Sequence, residues 1–500
     1  MRIVERLPDG RFVPQAYPKF DVLPIAGLWR PGGSKKRLQD RNPYNGGLLV
    51  EMQQCDRADL DLACQEAAKR QPGWAGALPA DRAAVMSRAA QVMELRREEI
   101  VTWLIQESGS VRIKAELEWR WAHDLFLEAA ALAHRVEGRL LPVDMPGKES
   151  QAHRKPVGVV GVIGPWNWPL HLCLRSVAPA LVLGNAVVLK PASDTPVTAG
   201  LLPARILEEA GLPAGLLSVL AGSGSEVGEP LVLHPAPRVI SFTGSTAVGR
   251  QVARLAMESP RIKRLELELG GNTPFVVLAD ADVERAVDAA IFGKFLHQGQ
   301  ICMAVNRFIV DDAVYDEFRG RFLDRVRRLK HGDPDMADTV IGPLINESQL
   351  NKVRQRIRET EQAGARLVVG GEPQGLVLPP HVFTEVTNAM AATRDEWFAP
   401  VAPILRVAGE EDALASANDT EYGLSAAVFT RDIERGRRFA LRMQTGMAHV
   451  NDQPVNDLRF NPFGGEKNSG LGRFNGAWAI EAFTTDQWVS LQHEPPRYAF

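Results

Sequence analysis

Cys302 stands in the segment HQGQICMAVNR. A lone cysteine is often just a small core hydrophobe. Here Gly299 and Gln300 precede it at the end of a predicted helix, where the backbone can turn sharply and present the thiol. A presented thiol attacks a carbonyl carbon, and the attack creates a tetrahedral oxyanion. Such an oxyanion needs hydrogen-bond donors. Asn167, in PWNWP (165–169), follows a predicted buried strand directly, on a loop where α/β sites form. Its amide can donate to an oxyanion beside the Cys302 N–H, or it can simply cap a turn between two prolines. In ELELGG (266–271), Glu266 and Glu268 fall on one strand face. A carboxylate next to Gly-Gly and open to a cleft suits a general base, whereas a solvated strand face is the plainer reading.

A second group of segments reads as a phosphate cradle. LKPASDTP (189–196) and SFTGSTAVG (241–249) both run strand, polar turn, helix. The N–H groups of a helix starting at Ser245–Thr246 can hold a pyrophosphate, and Lys190 at a strand end can reach ribose or phosphate. AGSGSEVG (221–228) has glycines at GxGxxxG spacing, a weak dinucleotide signal. The ten histidines are scattered, with no HExxH and no CxxC partner, so no metal site is expected.

The elements that must position these residues alternate. VGVVGVI (157–163), AVVLK (186–190), LLSVLA (216–221) and VISF (239–242) are short apolar runs, as buried parallel strands should be. A helix is predicted after the second, with Thr195 as N-cap, Pro196 first, Gly211 after the end and a kink at Pro203. A second series follows. FVVL (275–278) leads into a helix carrying Val283, Val287, Ile291 and Phe295; FIV (308–310) leads into one carrying Val314, Phe318, Phe322 and Val326. Upstream, Asp81–Glu107 and Glu118–His134 read as helices, and the first ~20 residues as a Pro-rich arm. The rhythm is that of two tandem open parallel α/β sheets with the site between them.

Bulk properties agree with an enzyme and exclude other classes. At 500 residues, two or three domains are expected. Lys and Arg number 58 against 61 Asp and Glu, a net charge of −3, so no basic field attracts nucleic acid or a membrane surface. No stretch is apolar enough to span a bilayer, and MRIVERLPDG lacks the apolar core of a signal peptide. The four cysteines, Cys55, Cys64, Cys173 and Cys302, make no disulfide framework, which suits a reducing cytoplasm.

PWNWP, KPASDTP, FTGST, ELGG, GQIC, DEWFAPV and PFGGEKNSGLGR together resemble the aldehyde dehydrogenase superfamily, in its order and spacings, over about residues 25–492. The resemblance implies NAD(P)-dependent oxidation of an aldehyde. Cys302 would be the nucleophile, Glu268 the base that activates water, and Asn167 the oxyanion donor. Glu396 and Phe398 would hold the nicotinamide ribose and ring. Ile163, Trp166, Lys190, Gly244, Ser245 and Val248 would form the rest of the cofactor cleft, with Gly164, Pro165, Ser193, Gly222, Gly228, Phe242, Thr243, Leu269 and Gly270 on the same segments. Ser193 stands where many NAD-preferring members carry Glu, so either NAD or NADP is expected.

The implied architecture is an N-terminal arm (1–22), a cofactor domain (23–130 and 150–266), a catalytic domain (267–479) and an oligomerisation arm (131–149 and 480–500), giving a dimer or dimer of dimers. LRSVAPALVLGN, HQGQICMAVNRFIV and VNDQPVND look like bacterial benzaldehyde and vanillin dehydrogenases. Trp168, Leu170, His171, Ile301, Met303 and Phe463 flank the catalytic motifs and would wall an apolar tunnel for a flat aldehyde. Arg459, near its mouth, keeps an anionic semialdehyde as an alternative substrate. CoA-acylating chemistry is the other alternative; Glu268 argues against it, because acyl transfer to CoA needs no water-activating base.

Overall fold

Four short, mostly apolar segments and the alternating run RLELE set the first sheet. Val159–Ile163, VVGVI, is buried nearly throughout, and Ala186–Lys190 is buried at every position. The computed structural model, which describes residues 3–6 and 12–500, orders the strands Leu217–Val219, Ala186–Lys190, Val159–Ile163, Pro237–Thr243, Arg264–Glu268 and Gly470–Leu471. The first five are parallel. Their register aligns Lys190 with Ile163, Ile163 with Phe242, and Thr243 with Glu268. The carboxyl ends of four strands therefore form one edge, where open α/β sheets bind ligands. Gly470–Leu471 arrives from far along the chain and pairs antiparallel with Leu267 and Glu268. Gly470 has φ +153°, and a Cβ there would strike the Leu267 carbonyl oxygen, so only glycine lets the strand dock.

The second sheet runs Arg366–Val369, His381–Thr384, Val401–Val407, Val305–Asp311, Thr273–Val277, Ala427–Phe429 and His449–Val450, parallel except for its first pair. Helices Val283–Phe295 and Tyr315–Val326 cover it, burying Val283, Val287, Phe318 and Phe322. The fold class is α/β, with two open, mostly parallel sheets. A separate antiparallel sheet joins Thr484–Gln492 to Lys148–Pro156 over nine residue pairs, with Arg139–Leu141 on the far side. No described helix is long and apolar enough to cross a membrane.

Several helices differ from the sequence reading. Asp81–Glu107 is two helices, Pro79–Leu95 and Arg97–Ser108, broken at Arg96. The Arg96 side chain binds Glu99 and Glu209 and stacks on Tyr17, contacts that the break makes available. Thr195 does not cap the helix after it. Glu107, from another helix, accepts the Val197 and Thr198 N–H groups instead. Before Pro203, which lacks the N–H for the usual ladder bond, the chain widens into a π-turn at Val197–Leu201. The predicted arm at 1–22 lies partly outside the described residues. Within them, Ile3–Arg6 and Phe12–Pro14 pair as a hairpin.

Candidate active site

Cys302 follows an unusual stretch of backbone. His297, Gln298 and Gly299 have φ of 50°, 57° and 72°, the left-handed region. Non-glycine residues held there cost about 1–3 kcal/mol each and persist only where neighbours enforce them. The neighbours are present. Gln298 Nε2 donates to the Gly109 and Pro343 carbonyls at 3.2 and 2.9 Å, and Gln300 Oε1 accepts the Ile345 N–H at 3.0 Å. Glu268 ends its strand, and the Gly270–Gly271 turn carries the chain past the Cys302 loop. A Cβ at 271 would strike the Cys302 carbonyl oxygen, so glycine permits the approach. Asn167 lies between the end of Val159–Ile163 and the helix Pro169–Val182. Its Nδ2 donates to the Gln300 carbonyl at 3.0 Å. An amide carries two hydrogens, so a second donor remains.

The thiol and the carboxylate oppose each other. Both are buried, and the Cys302 thiol lies against Glu268. Burial and the Glu268 charge hold the thiol well above its usual pKa, and burial also raises Glu268. Arg175 counters the second effect, its Nη2 reaching Glu268 Oε2 at 3.3 Å. Arg175 is itself fixed. Its Nη1 meets Asp457 Oδ2 at 3.0 Å, and its guanidinium stacks on Phe463 and Phe474. Asp457 also takes His171 Nε2 at 2.8 Å and Asn475 Nδ2 at 2.7 Å. Despite burial, the His171, Arg175 and Asn475 contacts hold Asp457 down at about 2.

Along the aligned strand ends runs a cleft of about 510 Å³. Ile163, Gly164, Pro165, Trp166, Lys190 and Gly228 line it, as do Phe242, Thr243, Gly244, Ser245 and Val248. Leu269, Gly270, Glu396 and Phe398 line it nearer the thiol, and Asn167, Glu268 and Cys302 close its inner end. Two expected residues do not line it. The Ser193 hydroxyl donates to the Gly222 carbonyl at 3.4 Å, while Ala192 and Gly224 take the lining. Ser245 caps the helix Thr246–Glu258, whose free N–H groups face the cleft. Burial pushes the Lys190 ammonium down to about 8, and Glu396 up to about 7, its Oε1 accepting the Gly271 N–H at 3.0 Å. A cation, a helix N-terminus and a carboxylate spaced along one apolar cleft fit a dinucleotide: phosphate at the helix, ribose hydroxyls at Lys190 and Glu396.

On the other side of Cys302, Trp168, Ile301, Met303 and Phe463 pack with the thiol in one apolar cluster. Trp121 stacks on Trp168 with centroids 4.7 Å apart. Leu170 is elsewhere; it points into the core of the cofactor half, because the helix Pro169–Val182 turns its face that way. His171 is tied to Asp457. Arg459 pairs with Asp124 at 3.1 Å and lies over Phe460, so its charge is answered outside the cluster. Among the described residues no group of three His, Cys, Asp or Glu side chains is disposed to hold a metal ion.

The model of the aldehyde dehydrogenase family matches residues 29–489. The chain belongs to the aldehyde dehydrogenase family. A vanillin dehydrogenase of Corynebacterium glutamicum is 51% identical over 468 residues, 94% of this chain and 97% of the relative. The crystal structure of an NAD-dependent benzaldehyde dehydrogenase from Corynebacterium glutamicum superposes with TM-score 0.89 at 47% identity, covering 97% and 99% of the two chains. A salicylaldehyde dehydrogenase from Pseudomonas putida G7, complexed with salicylaldehyde, gives TM-score 0.93 at 35% identity, covering 96% and 99%.

For an aldehyde dehydrogenase, the residues that sequence reasoning missed are the supports. Arg175 was visible as the one cation in the apolar run LHLCLRSVAPALV, but its partner Asp457 is 282 residues away. Trp121 gave no signal beyond helical spacing. Gln349 and Lys352 reach the cleft from the helix Glu347–Gln362, far from any motif.

Proposed function

We propose that this aldehyde dehydrogenase oxidises an uncharged aromatic aldehyde to its carboxylic acid with NAD or NADP. The observation that carries the reading is the convergence of Cys302, Glu268 and Asn167 between a dinucleotide-sized cleft and a wall of Trp121, Trp168, Ile301, Met303 and Phe463. Relatives that act on vanillin, benzaldehyde and salicylaldehyde support the substrate class. Flat rings suit stacked indoles, and Arg459, already paired with Asp124, offers no free cation to an anionic semialdehyde.

In this reading the Cys302 thiol gives up its proton as its sulfur attacks the aldehyde carbon. Glu268, against the thiol, takes that proton or passes it to water. The free Asn167 amide hydrogen and the Cys302 N–H stabilise the resulting oxyanion. A bound nicotinamide would supply the hydride acceptor. The product on the enzyme is a Cys302 thioester. Glu268 then removes a proton from water, the hydroxide adds to the thioester carbon, and the acid leaves as the thiol reforms. Lys190, Glu396 and the Ser245-capped helix would hold the dinucleotide, and Trp166 and Phe398, edge to face at 5.3 Å, would offer it aromatic surface. The two large sheets serve as cofactor and catalytic domains, and the Thr484–Gln492 sheet joins protomers into a dimer or dimer of dimers.

NADH release with a panel of aldehydes, with and without CoA, tests the reading. Aromatic aldehydes should lead in kcat/KM, and CoA should change nothing. Cys302→Ala should keep cofactor binding and lose all but about a thousandth of the rate, ~4 kcal/mol of barrier. A preference for short anionic semialdehydes, or CoA-dependent turnover, rejects it.

A further inference from the structure

We propose that the buried ion pair Lys114–Glu118 is a positioning device for the oxyanion donor Asn167. The inference rests on Asn167 holding the oxyanion, and extends to what holds Asn167. The two residues lie four apart on the helix Arg112–Leu132, on one face, and both side chains are wholly buried. An ammonium has three hydrogens. Lys114 gives them to Ser110 Oγ at 2.9 Å, to Glu118, and to the backbone carbonyl of Asn167 at 2.8 Å.

Glu118 takes up the next part of the same loop. Its Oε1 accepts the N–H of Leu170 at 2.9 Å and of His171 at 3.2 Å. These are first-turn amides of the helix Pro169–Val182, whose N-cap, Trp168, has no side chain able to cap it. The segment 167–171 is thus gripped at one carbonyl and two amides by a neighbouring helix. The Asn167 side chain is then aimed by the Gln300 carbonyl, which uses one amide hydrogen and leaves the other unused, in the cleft that Cys302 also lines.

Stability alone does not explain the arrangement. Well-packed apolar residues commonly match or exceed a buried ion pair in stability, because two charges must be desolvated. Position does explain it. The oxyanion hole draws its donors from two separate loops, and an error of about 1 Å between them costs on the order of a hundredfold.

The test is a cycle in the intact enzyme. Lys114→Met and the paired Lys114→Met/Glu118→Leu are each made in the native and the Asn167→Ala background. The paired change leaves no orphan charge, so the result does not hang on the single variant folding. Asn167→Ala should lower kcat about a hundredfold. The pair should lower kcat at least tenfold in the native background and under threefold when Asn167 is already alanine. Cofactor KM and the rate of Cys302 alkylation by iodoacetamide should stay near native, and any fall in Tm from the backbone groups left unpaired should be the same in both backgrounds. Equal losses in both backgrounds, no loss in the native background, or failure of both variants to fold overturns the proposal. If Asn167→Ala alone leaves kcat intact, the oxyanion reading falls, and the proposal with it.

Discussion

As the proposed general base, Glu268 meets two demands that pull apart. It must be dry enough to be a useful base, yet ionised often enough to act. Burial raises its pKa, and Arg175 at 3.3 Å brings it back toward the working range. The sign of a test follows. Arg175→Met removes the cation that favours the carboxylate, so the Glu268 pKa rises. The acidic limb of kcat should then move to higher pH, and turnover at pH 7 should fall roughly tenfold for each ~1.4 kcal/mol lost. A limb that stays in place, or moves down, shows that Arg175 does not tune this base. Glu268→Gln separates the base's two roles. A glutamine cannot take a proton from water, so the thioester accumulates. A pre-steady-state burst of NADH should survive while steady turnover drops by roughly a hundredfold or more. A burst depressed as much as turnover assigns Glu268 mainly to deprotonating Cys302.

Elements explain which parts of this molecule were readable in advance. Four strands of the first sheet announced themselves as short, largely apolar runs, because a buried parallel strand must be apolar on both faces, whereas Arg264–Glu268 alternates charge and Gly470–Leu471 gave no strand signal. Cys302, Asn167 and Glu268 stood out because each sits where a strand or helix ends against glycine or proline. Arg96 and Glu107 were opaque. One breaks a helix and the other caps one for reasons that lie in distant segments, Glu209 and Val197. The Asp457 contacts were hidden in the same way. Ser193 is intermediate: legible as a departure, yet it does not line the cleft, where Ala192 does. That placement sharpens the cofactor prediction. Asp194, the carboxylate on this turn, is bound by Asn346 and does not line the cleft, so NADP should be accepted within roughly tenfold of NAD, ~1.4 kcal/mol. Ser193→Glu should swing a longer, charged side chain toward the ribose and penalise NADP selectively. The kcat/KM values for both cofactors decide it; a native NAD preference above roughly a hundredfold means another group excludes the 2′-phosphate.

At the scale of the whole molecule, the small sheet is the part with least to do inside one protomer. Thr484–Gln492 is hydrogen-bonded to Lys148–Pro156 along its length, and no strand among the described residues pairs with its other edge. An open nine-residue edge is a template for another chain. The same sheet exposes Leu140 at 83% and Trp488 at 66%, large apolar surfaces left in water. Their cost is removed if a second copy covers them, which is the proposed self-association. Leu140→Glu combined with Trp488→Glu should therefore shift sedimentation from dimer or tetramer to monomer at micromolar concentration. Each change puts a carboxylate where apolar contact is needed, and two per protomer become four across a symmetric interface. Because this sheet lies apart from the cleft, the thermal transition of a folded monomer should still rise on adding NAD. An assembly unchanged by both substitutions places the protomer contact on some other surface.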